Sequence, residues 1–209
     1  SGGVASATTI NSGGTQSVLA GGAAVQSIVG AGGAMVVDVG GTTATGPVAA
    51  ATLEGVTVAG TLTIAEATSD RLTGGAAASI DGLVLSGGTV AVGVPGAGGY
   101  KTLTVYGLSG SGQFVLNTNI GAAQADQLVV NQGSGVFTLT VHDSSTTVPT
   151  SPSERLMLVN ATSSTATFAL AGNAMDLGAY KFALQDVGGQ YYLYNTGGKS
   201  DIATVAQAA

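Results

Sequence analysis

The sequence predicts an all-β protein, a right-handed parallel β-helix closed by a C-terminal β-hairpin cap, and three observations point there. Glycine pairs recur at Gly2-Gly3, Gly13-Gly14, Gly21-Gly22, Gly32-Gly33 and Gly40-Gly41 in steps of eleven and eight residues, so the repeat unit is nineteen residues long. A fixed period near twenty residues is the signature of a solenoid, whose units are too small to bury an apolar face alone and stack on one another. The segments between glycines, such as Thr15 to Leu19, Ala24 to Val29 and Met35 to Val39, are short and rich in β-branched residues, which favours strands over helices. Paired glycines suit the corners, where the chain must turn sharply with no side chain in the way.

Superposing one unit on the next sets Ala5 on Ala24, Ser6 on Val25, Ile10 on Val29 and Val18 on Val37, so like sits on like. The regular repeat lapses into a loop or loosened coil from Thr42 to Ala51, around Pro47. Short alternating strands then return at Leu53 to Val58, Thr61 to Ile64, Ser79 to Leu85 and Thr89 to Val94. Between them Glu66, Asp70 and Arg71 gather in one turn, read as a solvated corner because exposed ion pairs contribute little.

From Tyr100 the core becomes heavier. All ten aromatic residues, six Tyr and four Phe, lie between Tyr100 and Tyr194. Rings bury far more apolar area than alanine or valine, at about 25 cal/mol per Å². The expected folding-core aromatics are Phe114, Phe137, Phe168, Tyr180, Phe182 and Tyr192. A longer loop spans Ser144 to Ser153, and Gly188-Gly189 marks a hairpin between Ala179 to Val187 and Gln190 to Tyr194. Such a hairpin covers an otherwise unpaired strand edge at the end of the stack. Three regions result: coils over 1–99, regular in 1–41; a cap region over 100–196; and the start of a linker over 197–209.

Composition narrows the function. The chain of 209 residues is 44% apolar and 8% charged, with 35 Gly and only 4 Pro, so it can bury a core and is not disordered. A net charge of −6 with five scattered basic residues excludes a nucleic-acid partner. No apolar run is long enough for a spanning helix, and residue 1 opens inside a repeat, so the chain is expected to be a fragment of a longer one. Cysteine is absent, which leaves no thiol chemistry, no cysteine-based zinc site and no disulfide framework.

Chemical motifs are missing as well. The sole histidine, His142, is followed by Asp143 and Ser144, but neighbours along a strand point to opposite faces and make no triad. Asp38, Glu54, Asp81 and Asp126 are spread one per coil or fewer, unlike the carboxylate clusters of a glycan-cleaving groove. Asp126 is read as a turn or capping residue. The glycine pairs are followed by TQ, AA, AM and TT rather than by a calcium-binding nonapeptide pattern. No catalytic, cofactor or metal residue is expected.

The ordered set GLSGSGQFVLNTNI, ADQLVVNQGSGVFTLTV, ERLMLV, ATFAL, DLGAYKFAL and YYLYN resembles the C-terminal passenger region of pertactin-type, type V autotransporters of Gram-negative bacteria. The SGG and NSGGTQSV units are similar to repeats of the diffuse-adherence adhesin and antigen 43 group within that class. The resemblance implies an autochaperone-like cap from about Gly110 to Thr196 and a place on the cell surface, outside the outer membrane. It also implies a translocator β-barrel elsewhere in the full-length protein, and Ser12 as a glycosylation acceptor. On this reading the segment is the structural stem of a surface adhesin that assists its own secretion. Its partners are a host-cell or bacterial surface, or a second copy met through outward ladders such as Thr15, Ser17, Gln26 and Ser27. The alternatives are a fragment of a secreted enzyme with its catalytic domain upstream, or a glycan-active β-helix.

Overall fold

The computed structural model describes residues 2–43, 46–66, 72–146, 155–177 and 180–199. Strands stack in parallel register to form three faces of a β-helix. The first face carries Val4–Ser6, Ala23–Val25, the start of Thr52–Val58, the middle of Leu72–Val92, then Thr102–Val105, Gln127–Val130 and Arg155–Asn160. The second runs from Thr9–Ile10 through Ile28–Val29 to Leu83 and the start of Leu108–Asn119. The third stacks Thr15–Val18, Ala34–Asp38, Thr61–Ala65, the end of Leu72–Val92, the second half of Leu108–Asn119, Val136–Asp143 and Thr167–Leu170.

The register read from the repeat is present residue by residue. Ala5 pairs with Ala24, Ile10 with Val29 and Val18 with Val37. The offset between rungs then changes, from nineteen residues at Ala5–Ala24 to twenty-nine at Ala24–Leu53, twenty-seven at Leu53–Ile80 and twenty-five at Leu103–Leu128. Ala24, Val29 and Val37 fill the N-terminal interior, Leu53, Leu62 and Ile80 the middle, and Phe114 and Phe137 the later part, all buried.

Four details differ from the expectation. The stretch after Gly40 is an antiparallel hairpin, Gly40–Thr43 against Gly46–Val48, whose first strand also pairs with the start of Leu72–Val92. The strands expected at 79–85 and 89–94 form one strand, Leu72–Val92, bent at Gly82 and Gly87, which both have positive φ. The cap is a three-stranded antiparallel meander, Ala174–Leu177, Tyr180–Val187 and Gln190–Lys199, and its last strand pairs antiparallel with Arg155–Asn160. That strand runs past Thr196, so the linker does not begin at Gly197; Asp70, Arg71, most of the Ser144–Ser153 loop and residues 200–209 lie outside the described residues.

Candidate functional site

Two constellations stand out in the C-terminal half. In the first, Phe114, Phe137 and Phe168 share the interior at ring-centroid separations of 5.8, 5.5 and 6.2 Å. Tyr191 joins them from the cap, 5.1 Å from Phe168 and edge-on. Each pair lies in the separation range where aromatic rings attract beyond simple area burial. The Tyr191 hydroxyl donates to the Ala166 carbonyl at 3.5 Å. Burial raises the Tyr191 pKa above its ordinary value, and the nearby Asp186 carboxylate raises it further.

Of the six aromatics expected in the core, Phe114, Phe137, Phe168 and Phe182 are buried, whereas Tyr180 and Tyr192 are half-buried. The ring that points inward from the last strand is Tyr191. Adjacent strand residues face opposite sides, and pairing of Val159 with Tyr191 and Leu156 with Leu193 fixes which parity faces the core. The run Tyr191-Tyr192 offers either parity, so the sequence alone cannot choose between them.

The second constellation is a buried polar corner that the sequence did not reveal as a cluster. Asp126 is fully buried and accepts from the Lys101 backbone N–H at 2.7 Å, from the Asn117 N–H at 2.8 Å and from Asn117 Nδ2 at 2.6 Å. Lys101 is also buried, and its Nζ donates to the carbonyls of Gly93 and Val94 at 3.0 and 3.1 Å. Asn117 Nδ2 reaches the Val92 carbonyl at 2.9 Å. Burial lowers the Lys101 pKa, while the charges of Asp126 and Glu66 act in the opposite direction. Charged and amide groups here satisfy backbone donors and acceptors at the corner, where the parallel ladder breaks.

The same device recurs along that edge. Asp38 accepts from Ala20 N–H at 3.1 Å, Glu66 from Gly98 N–H at 2.9 Å and Asp143 from Ile120 N–H at 3.0 Å. Asp38, Glu66 and Asp143 are therefore backbone caps between rungs, whereas Glu54 and Asp81 are exposed on the first face. The signal available in the sequence was the recurrence of the caps at the end of the third-face strand, just where each rung turns.

The remaining singled-out residues scatter. Ser12 is exposed at a corner beside Gly32. Thr15, Ser17 and Gln26 are exposed, but Ser27 is fully buried with no partner for its hydroxyl, because Gln26 takes a left-handed φ of 51° and turns Ser27 inward. His142 is exposed, while Asp143 turns to the Thr118 and Ser145 hydroxyls. Among the described residues no group of three His, Asp or Glu side chains converges as metal ligands, and no helix is long and apolar enough to cross a membrane.

The chain is thus a single parallel β-helix with an aromatic-rich, antiparallel-capped end. The structure of the Hap adhesin of Haemophilus influenzae matches 93% of this chain and 22% of its own, with a TM-score of 0.53 at 18% identity, which speaks to the fold. The pertactin family model matches residues 80–204, so the chain belongs to the pertactin family. Relatives include the immunoglobulin A1 protease autotransporter of Haemophilus influenzae, 44% identical over 46% of this chain, and the BrkA autotransporter of Bordetella pertussis, 42% identical over 42% of it. The probable autotransporter YpjA of Escherichia coli is 40% identical over 43% of the chain. These matches span 6%, 9% and 6% of the relatives' own lengths. The chain is a type V autotransporter passenger segment, of a class exposed at the cell surface and anchored to the outer membrane.

Proposed function

We propose that this segment is the membrane-proximal, non-catalytic stem of a surface adhesin, and that its C-terminal half folds first and templates the rungs N-terminal to it. The observation that carries the proposal is the asymmetry of the stack. Phe114, Phe137, Phe168 and Tyr191 form one ring cluster under an antiparallel cap, while the rungs of residues 2–43 contain no aromatic side chain. In a solenoid, stability is close to a sum of rung and interface terms, so folding starts where those terms are largest. A passenger drawn through the translocator β-barrel of the full-length protein would then gain an exposed parallel edge at the cell surface for each later rung.

The stem carries the passenger tip toward a host-cell or bacterial surface. Ser12, exposed at a corner, is accessible to glycosylation, and Thr15 and Ser17 face outward for contact with a second copy. Phe137→Ala in the full-length protein is expected to reduce both surface display and the protease resistance of the displayed passenger. Unchanged display and resistance would remove the basis for the proposal. A secreted enzyme with a catalytic domain N-terminal to this segment is the second reading, favoured by the immunoglobulin A1 protease relatives; the complete reading frame decides it.

A further inference from the structure

On the outer surface, four polar side chains form a column along the helix axis. Val25 pairs with Glu54, and Glu54 pairs with Asp81 on the next rung. Tyr106 follows Val105, the partner of Ile80, and its N–H donates to the Ile80 carbonyl at 3.0 Å, which sets it beside Asp81. Asn131 follows Val130 in the same way on the rung after, its N–H reaching the Val105 carbonyl at 3.0 Å. With rungs about 4.8 Å apart, the column from Glu54 to Asn131 is about 14 Å long.

Glu54 and Asp81 are exposed, and Tyr106 is 50% exposed, a large apolar ring left to solvent on a rigid sheet. Among the described residues no intramolecular hydrogen bond engages the Tyr106 hydroxyl or either carboxylate. Two carboxylates on neighbouring rungs repel, and this chain is only 8% charged, so the pair is a local cost that the fold itself does not require.

Beside the column the wall falls away. Gly82 and Gly107 stand next to Asp81 and Tyr106 without side chains, and a shallow depression of about 410 Å³ opens there, bordered by Val84, Ser109 and Gln132. The vacancy at Gly107 is not imposed by the backbone. A Cβ placed there would meet Gly82 Cα at 3.8 Å, an ordinary contact.

We propose that this column and depression form a binding platform for a neutral, extended oligosaccharide. The Tyr106 ring offers a flat π-face for the C–H face of a pyranose, a contact that costs little side-chain entropy. The carboxylates of Glu54 and Asp81 accept hydrogen bonds from sugar hydroxyls, and the Asn131 and Gln132 amides can both donate and accept. Spacing of one polar side chain per rung suits a ligand with a repeating unit of similar length. The acidic pair, on a chain of net charge −6, repels sialylated and sulfated glycans and so selects neutral over anionic ones. The site is independent of the folding role argued above, because Glu54, Asp81 and Tyr106 are exposed and Asn131 is half-buried on the outer surface.

The test is binding of the full chain to an immobilised array of neutral hexose oligosaccharides alongside sialylated and sulfated ones, followed by titration of the bound oligosaccharide. Saturable binding to neutral members is expected. Tyr106→Ala should weaken it about tenfold or more through loss of the stacking face, while Tyr106→Phe retains most of the affinity. Gly107→Val should fill the depression and weaken binding likewise, with the thermal unfolding curve unchanged. No binding to any neutral oligosaccharide, a preference for anionic ones, or Tyr106→Ala binding as well as the unaltered chain would each overturn the proposal.

Discussion

Phe137 is where the directional reading of the stack meets a number. Its ring is fully buried between Phe114, at 5.8 Å, and Phe168, at 5.5 Å. Truncation to alanine removes the transfer energy of a phenyl group and opens a cavity, about 3 to 5 kcal/mol, and the loss of two ring–ring contacts places it toward the upper end. Met35, fully buried in an N-terminal rung, loses about 2 to 5 kcal/mol on the same substitution. The two costs overlap, but their reach should not. If the N-terminal rungs depend on the cap, Phe137→Ala lowers amide-exchange protection at both ends of the stack. Met35→Ala then lowers it only in the rungs around Ala24 and Leu62 and leaves Leu139 and Leu193 protected. Native-state hydrogen exchange read by mass spectrometry on the full chain resolves the two ends. Equal loss of protection at both ends in Met35→Ala, or retained N-terminal protection in Phe137→Ala, refutes the asymmetry.

Asp126→Ala leaves the Lys101 and Asn117 backbone donors without their acceptor, while the Asn117 amide and the Lys101 ammonium keep the Val92, Gly93 and Val94 carbonyls, so a loss of about 1 to 3 kcal/mol per stranded donor is expected in chemical denaturation. Asp126→Asn keeps an acceptor and should cost less. Lys101 gives a pH signature. Burial sets its folded pKa below the unfolded value, so on raising the pH the native state releases the proton first and the unfolded state binds more protons. Stability of the unaltered chain relative to Lys101→Met should therefore rise with pH over the alkaline range below about 10.4 and level off above it, a difference read from paired urea titrations.

The repeat made the fold legible at the N-terminus because each nineteen-residue unit superposes on the next, and the pairs Ala5–Ala24 and Ile10–Val29 follow directly. What it hid was parity and continuity. A left-handed residue at Gln26 turned Ser27 inward, and the doubled tyrosine at 191–192 left the buried ring undetermined. Positive-φ glycines bent one long strand that reads as two, since turning a corner need not interrupt the ladder. The polar corner was invisible for a different reason. Lys101, Asn117 and Asp126 are separated by up to twenty-five positions, and only the rung length brings them together, while that length itself changes along the chain.

The aromatic core and the polar corner lie in the same rungs. The nineteen-residue rungs close with glycine pairs whose amides bond backbone carbonyls within the turn, as Gly22 does with Leu19 and Gly33 with Gly30. In the rungs that hold Phe114 and Phe137 the corner between the third and first faces is buried, as Lys101, Thr118 and Asp126 show. Buried backbone groups at such a corner must find partners. Asp126 and Lys101 supply them, completing the rungs that carry Phe114 and Phe137. Removing the polar corner should therefore disturb the same cooperative unit as removing a phenylalanine. A double substitution, Asp126→Ala with Phe137→Ala, is expected to cost less than the sum of the two single changes. Strict additivity would mean that corner and aromatic core are separate devices.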